Sequence, residues 1–218
     1  MIKACIFDLD GTLTATLESI ARPVNRTLRH FGLPEMPVDN FKIYVGNGLK
    51  TALQRALYDA GDPNGIHLEE GYPLCRDWFE ADPLYHVAPY PNIQEMLDTL
   101  KTRGIHLAVC SNKLHSGAIS VVETIFGKGT FEAIQGQTDL VPLKPDPAGV
   151  RSIMERLCVA PSECLYFGDT GTDMDTAGNA GIRAIGVTWG FRSREELLSH
   201  GAARLIDDPL EILDLLDD

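Results

Sequence analysis

The chain has 218 residues, a length that fits one domain or a core with a modest insertion. Of its residues 44% are hydrophobic and 23% are charged, a composition typical of a globular protein. Its formal net charge of −12 disfavours nucleic acid and anionic membranes as partners, and no apolar run approaches the roughly 20 residues that span a bilayer. Five cysteines without a C-x-x-C pair, in a chain whose N-terminus has no signal-peptide pattern, predict reduced thiols in a cytoplasmic protein.

The first predicted element is a short apolar strand over residues 4–7, which leads directly into the sequence DLDGT at 8–12. Because side chains alternate along a strand, Asp8 and Asp10 can project to the same side, and Gly11 allows a sharp turn. Two like charges at a strand end are costly for folding, so the pair indicates a metal ion, acid/base chemistry, or both. The alternative for this motif alone is a solvated acidic turn.

The segment from about 15 to 85 is predicted to be all-helical. Apolar residues recur there with helical spacing, and Pro23 predicts a kink or a helix start inside the first pattern. Because the segment interrupts the chain just after the first strand, we expect an inserted helical domain over the strand ends. The three predicted helices cover 16–31, 48–60 and 69–80.

After residue 91 strands alternate with helices, which predicts a parallel sheet covered on both faces. Asn92 and Glu95 resemble a capping box, and Asp146 with Pro147 resembles an N-cap and first helical residue. The predicted fold is therefore a doubly wound, Rossmann-like α/β core (1–14 and 86–218) with an all-helical cap (15–85). The predicted strands are 105–110, 133–135, 164–167 and 184–187, and the helices are 92–103, 115–126, 147–157, 173–180, 194–199 and 209–216.

Four polar clusters fall at or near the carboxyl ends of predicted strands or in a loop before a helix, where open α/β sheets bind their ligands. Each cluster has an ordinary explanation as a turn, linker or helix N-terminus, but their joint placement indicates one site. The clusters are Asp8 with Asp10, Ser111-Asn112-Lys113, Lys144-Pro145, and Asp169 with Asp173.

In this order and spacing, the motifs resemble those of the haloacid dehalogenase superfamily of phosphotransferases over essentially the full chain. The resemblance implies a Mg²⁺-dependent phosphatase that acts on a small phosphorylated metabolite through an aspartyl-phosphate intermediate. Asp8 would be the nucleophile, and Asp10 the general acid for the leaving oxygen and then the base for the attacking water.

The resemblance also implies how the metal and the phosphate are held. The Asp8 carboxylate, the Asp10 main-chain carbonyl and Asp169 would bind Mg²⁺. Asp173 would bind a metal water or orient Lys144, which neutralises charge. The residues implied for phosphate or substrate binding are Gly11, Thr12, Ser111, Asn112 and Lys144.

Asp10 favours phosphate esters over haloacids, because halide leaves without a proton. The branch of the superfamily that cleaves phosphonates also lacks an acid at the position of Asp10, so Asp10 disfavours that activity too. A sugar-phosphate mutase of the β-phosphoglucomutase type remains an alternative, although such mutases usually carry a His shortly after the first motif and residues 14–18 contain none. A non-catalytic binder of a phosphorylated ligand on the same fold is the second alternative.

Two segments resemble phosphoglycolate phosphatases in particular: residues 45–48 before the helix with 54–57, and Ser111-Asn112-Lys113. The chain departs from them at 14–16, where many members have an Asp, and at Asn92, where a glycine is usual. A helix-start turn is the ordinary reading of 46–48. We expect a monomer or homodimer, with 2-phosphoglycolate as the candidate substrate. The cap residues predicted to contact it are Gly46, Asn47, Gly48 and Arg55, with Arg22, Arg26, Lys42 and Lys50 as further cations.

Overall fold

A computed structural model describes residues 1–216 and divides the chain into two compact units. One unit combines Met1–Ala15 with the chain from Ala88 onward, and the other is Thr16–Val87. The first unit alternates strands and helices, whereas the second contains helices only. Among the described residues, no helix combines the length and the apolar character that crossing a membrane requires.

The α/β unit is built on a parallel sheet, which in the described part of the chain has six strands in the order β5-β4-β1-β6-β7-β8. Because the chain moves outward from β1 in both directions, the predicted doubly wound parallel fold is confirmed. The sheet strands are β1 (Ala4–Phe7), β4 (His106–Leu114), β5 (Ala133–Gln137), β6 (Cys164–Gly168), β7 (Arg183–Val187) and β8 (Arg204–Ile206), and a separate antiparallel pair is formed by β2 (Thr14–Ala15) and β3 (Ala88–Pro89).

The central strands β1 and β6 are buried along their whole length, as strands covered on both faces are. Phe7 and Phe167 stack on one face with ring centroids 5.0 Å apart, and Phe131 meets Phe7 edge-on. Ile6 and Tyr166 belong to the buried cluster of the other face. The helices of this unit are α5 (Ile93–Thr102), α6 (His115–Phe126), α7 (Ala148–Leu157), α8 (Gly171–Ala180) and α9 (Arg194–Ser199), with 3₁₀ helices at Pro161–Glu163 and Pro209–Leu215.

The helical unit packs its helices around a small buried core. Its first helix runs through Pro23, so the predicted helix start at that residue is wrong. Gly71 lets two helices approach closely, because a Cβ there would lie 3.0 Å from both Phe31 Cε2 and Thr27 Cγ2. The helices are α1 (Leu17–His30), α2 (Phe41–Tyr44), α3 (Leu49–Asp59) and α4 (Leu68–Ala81), with a 3₁₀ turn at Val38–Asn40.

Two local predictions in the α/β unit are wrong, and one strand is missing from the prediction. Ser111–Lys113 do not follow β4 as a turn but lie within it, since the strand continues to Leu114. Helix α7 begins one residue later than predicted, because Pro147 is its N-cap and Asp146 Oδ1 accepts from the Ala148 N–H at 2.8 Å. Strand β8 was not predicted, as its three residues are too short to show a period.

The capping box predicted at Asn92 is also absent. Asn92 has a left-handed backbone with φ of 64°, and its side chain does not cap α5 but donates to Asp208 Oδ2 at 2.7 Å. Asparagine is one of the few residues other than glycine that tolerates this conformation. The departure from the usual glycine therefore preserves the turn.

We expect Asn92→Val to be less stable than Asn92→Gly by about 1–2 kcal/mol, because a β-branched side chain is strained in the left-handed region. Both variants lose the bond to Asp208, so the strain is the part of their difference in urea unfolding that exceeds the same difference at a position without positive φ. The same pair of substitutions at exposed Asn64, whose φ is not positive, is the matched control. Equal stabilities of the two position-92 variants would contradict the strain.

Candidate active site

The acidic motifs meet where neighbouring parallel strands end. Asp8 directly follows β1 and Asp169 directly follows β6, and these two strands are adjacent in the sheet. The Asp8 N–H donates to the Phe167 carbonyl at 2.9 Å, which continues the ladder past the strand. The pairing of β1 with β6 alone therefore brings together two residues that are more than 150 positions apart in the sequence.

Three carboxylates form a buried cluster at this edge. Asp8, Asp169 and Asp173 each offer an oxygen within 4.8 Å of the others. Burial raises the pKa of Asp8 to about 7, against the lowering effect of Lys144. Burial, reinforced by Asp173 and Asp8, also raises the pKa of Asp169 well above its ordinary value. Carboxylates in such surroundings are stable in ionised form only with a compensating cation.

Lys144 supplies part of that compensation. Its Nζ lies 2.8 Å from Asp8 Oδ1, 2.6 Å from Asp173 Oδ1 and 3.2 Å from Tyr166 Oη, and its side chain is buried. The two carboxylates raise the pKa of Lys144 against the effect of burial, so the ammonium stays charged. Tyr166 is a site residue that the sequence patterns did not single out, because a Tyr within an apolar strand resembles ordinary core.

Asn112 holds the Lys144 loop in place. Its Oδ1 accepts from the Lys144 N–H at 2.8 Å, and its Nδ2 donates to the Lys144 carbonyl at 3.2 Å. The Asn112 side-chain amide therefore pairs with the main chain of Lys144 in the way that the main chain of an adjacent β-strand would. On the other side, Asn179 Nδ2 donates to the Pro145 carbonyl at 3.0 Å.

Asp169 is fixed through both carboxylate oxygens. Thr12 Oγ1 donates to Oδ1 at 3.0 Å, and the Phe191 N–H donates to Oδ2 at 2.8 Å. The main chain approaches so closely that a Cβ at Gly11 or Gly190 would collide with the Asp169 side chain. The φ of 92° at Gly11 is a second reason for glycine at this turn.

Asp173 serves the helix and the site with different oxygens. Its Oδ2 accepts from the Thr170 N–H at 3.1 Å and from Thr170 Oγ1 at 2.6 Å, while Oδ1 receives Lys144. Thr170 Oγ1 in turn is the acceptor at the N-cap of α8. The two interpretations offered by the sequence, helix-terminal acid and site residue, therefore describe the same side chain.

The two acids of DLDGT have separate cationic partners. Asp10 lies outside the carboxylate cluster and pairs with Lys113, whose Nζ is 3.0 Å from Asp10 Oδ1. Ser111 Oγ accepts from the Lys113 N–H at 3.2 Å. Lys113 belongs to one of the predicted polar clusters, but the sequence patterns assigned it no role in the site.

The residues predicted to contact substrate in the helical unit form a local network. Gly46 and Gly48 have φ of 108° and 85° on either side of Asn47. Arg55 donates to the Tyr44 carbonyl and to Asn47 Oδ1, each at 2.9 Å, and so ties this turn to α2. The other predicted cations have partners within the unit: Arg22 with Asp82 and Tyr85, Arg26 with Trp78, Lys42 with Asp39, and Lys50 with Glu69.

We expect Lys144→Met to lower the free energy of unfolding in EDTA by about 3–5 kcal/mol near neutral pH, because it leaves two buried carboxylates without their cation. The folded-state pKa of Asp8 lies above its value of ~3.9 in an unfolded chain, so the folded protein takes up a proton as pH falls through about 7. The loss should therefore shrink between about pH 8 and pH 5 in urea titrations.

Lys3→Met is the control for this measurement, since Lys3 forms an exposed ion pair with Glu163. It should cost less than about 1 kcal/mol, with little change over the same pH range. A loss in Lys144→Met that is equally small, or that does not depend on pH, would contradict the charge balance described here.

Comparison with known proteins agrees with this arrangement. The profile of the family described as haloacid dehalogenase-like hydrolase matches residues 5–187. A phosphoglycolate phosphatase of Rhodospirillum rubrum is 33% identical over 95% of this chain and 88% of its own length.

Solved structures share the fold over nearly their whole length. A predicted phosphoglycolate phosphatase from Haemophilus somnus 129PT superposes with a TM-score of 0.89 at 26% identity, covering 98% of this chain and 97% of that one. CbbY from Rhodobacter sphaeroides, solved in complex with phosphate, superposes with a TM-score of 0.83 at 26% identity over 100% of both chains. With its motif residues meeting at one edge of the sheet, the chain belongs to the haloacid dehalogenase-like hydrolase family.

Proposed function

We propose that this protein is a Mg²⁺-dependent phosphatase of a small phosphorylated metabolite, with 2-phosphoglycolate as the candidate substrate. The observation that carries the proposal is the buried Asp8 carboxylate, held by Lys144 at the end of β1 beside Asp169 and Asp173. A carboxylate oriented in this way can serve as a nucleophile toward phosphorus. The curated relative named phosphoglycolate phosphatase supports the reaction class.

The residues of the cluster suit a hard divalent cation. The three carboxylates of the cluster and the nearby Asp10 are accompanied by two ammonium groups, Lys144 and Lys113, so the site has a formal deficit of two positive charges. Mg²⁺ prefers oxygen ligands and commonly takes one or two carboxylates. We assign Asp8, Asp169 and the Asp10 main-chain carbonyl as its ligands, with Asp173 acting through water or through Lys144. When bound, the ion would neutralise charge on the phosphoryl group.

In the first step, an Asp8 oxygen attacks phosphorus and the bond to the leaving oxygen breaks. Asp10 donates its proton to that oxygen, so the alcohol leaves neutral and Asp8 carries the phosphoryl group. In the second step, Asp10 takes a proton from water, which attacks the phosphorus of the aspartyl-phosphate. Inorganic phosphate leaves, and Asp8 returns to its carboxylate form.

The phosphoryl oxygens need fixed positive partners during both steps. Lys144 and the hydroxyl of Ser111 are the side chains assigned to them. The main-chain N–H groups of Gly11 and Thr12 already donate to the carbonyls of Thr14 and Leu9. Asn112 and Thr12 use their side chains to hold Lys144 and Asp169, which supports a positioning role for both. Asp10 itself favours an ester substrate, because an alkoxide needs a proton and a halide does not.

The helical unit is the proposed source of substrate selectivity. Gly46, Asn47 and Gly48 form a compact turn that Arg55 of α3 ties to α2, and we propose this network as the part of the unit that recognises a small carboxylate. We therefore propose that residues 15–85 act as a cap and residues 1–14 and 86–218 as the catalytic core. Five free thiols, four of them buried, support a reducing compartment such as the cytoplasm. A monomer or homodimer remains the predicted assembly.

We expect Asp8→Asn to lower phosphate release from 4-nitrophenyl phosphate by roughly 10⁴-fold or more, because the amide is not a nucleophile. EDTA should abolish release by the unmodified protein, and Mg²⁺ should restore it. Asp98→Asn, an exposed change on α5, is the matched control and should retain full activity. Robust turnover by Asp8→Asn would contradict the mechanism.

Among substrates, we expect kcat/KM for 2-phosphoglycolate to exceed that for ethyl phosphate by roughly tenfold or more, because only the former presents a carboxylate to the cap. The measurement is inorganic phosphate release over a panel of small phosphorylated acids, sugars and nucleotides. Conversion of a sugar 1-phosphate to the 6-phosphate with little free phosphate would instead identify a mutase. No turnover across the panel would favour the non-catalytic binder.

A further inference from the structure

Lys113 holds the Asp10 carboxylate by both of its oxygens. Its Nζ lies 3.0 Å from Oδ1 and 3.3 Å from Oδ2, and the two side chains are only 2% and 16% exposed. A lysine ammonium is costly to bury without a partner, and both oxygens of the Asp10 carboxylate serve as that partner for Lys113. The pair therefore restricts the direction in which the Asp10 carboxyl group points.

An irregularity in the sheet places Lys113 there. Cys110 pairs with Gln135 and Leu114 with Gln137, so the three residues between them on β4 lie opposite the single residue Gly136 on β5. The strands approach so closely that a Cβ at Gly136 would lie 2.8 Å from the Lys113 carbonyl oxygen. Such bulges change the direction of side chains and are frequent next to active sites.

The pairing also separates the two acids of DLDGT. Lys144 binds Asp8 and Asp173, whereas Lys113 binds Asp10. A rotation of Asp10 toward the Asp8 network would therefore cost it the bond to Lys113. This arrangement fits two acids with different tasks, one bonding to phosphorus and one moving a proton.

We propose that Lys113 is a positioning residue that orients Asp10 for proton transfer to the leaving oxygen, an inference that rests on the proposed phosphatase function. Lys113 keeps its own protons throughout. The proton moves from the Asp10 carboxyl to the oxygen whose bond to phosphorus breaks, and returns to Asp10 from the attacking water. Without Lys113, Asp10 is present but samples orientations that do not reach that oxygen.

The test uses the leaving group, because the need for a proton depends on it. An ethoxide must be protonated as it leaves, whereas 4-nitrophenolate is stable as an anion. We use kcat/KM, which reports the steps up to the transfer of the phosphoryl group to Asp8 and not the later attack of water. In Lys113→Met, kcat/KM for ethyl phosphate should fall by roughly 10²-fold or more, the size of a lost general acid. In the same variant, kcat/KM for 4-nitrophenyl phosphate should fall only several-fold.

A double-mutant cycle gives a second readout. Once Asp10→Asn has removed the acid, adding Lys113→Met should cause little further loss with ethyl phosphate, because the two residues act as a unit. Lys128→Met, an exposed lysine change in the same unit, is the matched control and should leave both substrates unaffected. Turnover of 4-nitrophenyl phosphate also shows that the variant is folded, and Lys113→Gln serves in its place if Lys113→Met does not fold.

Three results would overturn the proposal. The first is an equal loss for both substrates, which indicates a structural or general electrostatic role. The second is additivity of Lys113→Met with Asp10→Asn. The third is a loss confined to 2-phosphoglycolate with ethyl phosphate unaffected, which would make Lys113 a carboxylate-binding residue. If the unmodified protein hydrolyses no phosphate ester at all, the proposed function itself fails, and that outcome is distinct from the other three.

Discussion

Compensation of buried charge at the end of β1 is the constraint on which the site depends. Asp8 and Asp173 place two carboxylates against one ammonium, Lys144, and all three side chains are buried. A buried cation and its anions hold one another only with good geometry, since their desolvation is otherwise not offset. The loop that carries Lys144, the turn that carries Asp169 and the start of α8 must therefore meet with good hydrogen-bond geometry.

The surrounding structure supplies that precision with main-chain contacts. The Asn112 side chain hydrogen-bonds to both the N–H and the carbonyl of Lys144, and the Phe191 N–H donates to the Asp169 carboxylate. Gly11 and Gly190 allow the chain to close on Asp169 where any side chain would collide. Residues that the sequence suggests as phosphate ligands or linkers therefore hold the charged side chains of the site in position.

The α/β unit and the helical unit differ in how much of their chemistry follows from pattern. In the α/β unit, the alternation of strands and helices was sufficient to predict the parallel sheet, and the motifs predicted that Asp8, Lys144 and Asp173 meet at its edge. In the helical unit, periodicity predicted the helices but did not rank the cations, because a basic residue on a helix surface pairs locally as readily as it binds a ligand. Arg22 and Lys50 illustrate this with their partners Asp82 and Glu69.

By itself, the sequence determined the fold class, the strands of the parallel sheet other than β8, and the acids and lysine that meet at its edge. Only the tertiary structure decided which cation faces which acid. In the structure, Lys144 pairs with Asp8 and Lys113 pairs with Asp10. Asn92 adopts a left-handed backbone conformation in place of the predicted capping box. The physical reason is that periodicity and motifs are local, whereas these pairings depend on distances of a few ångströms between strands that are far apart in the chain.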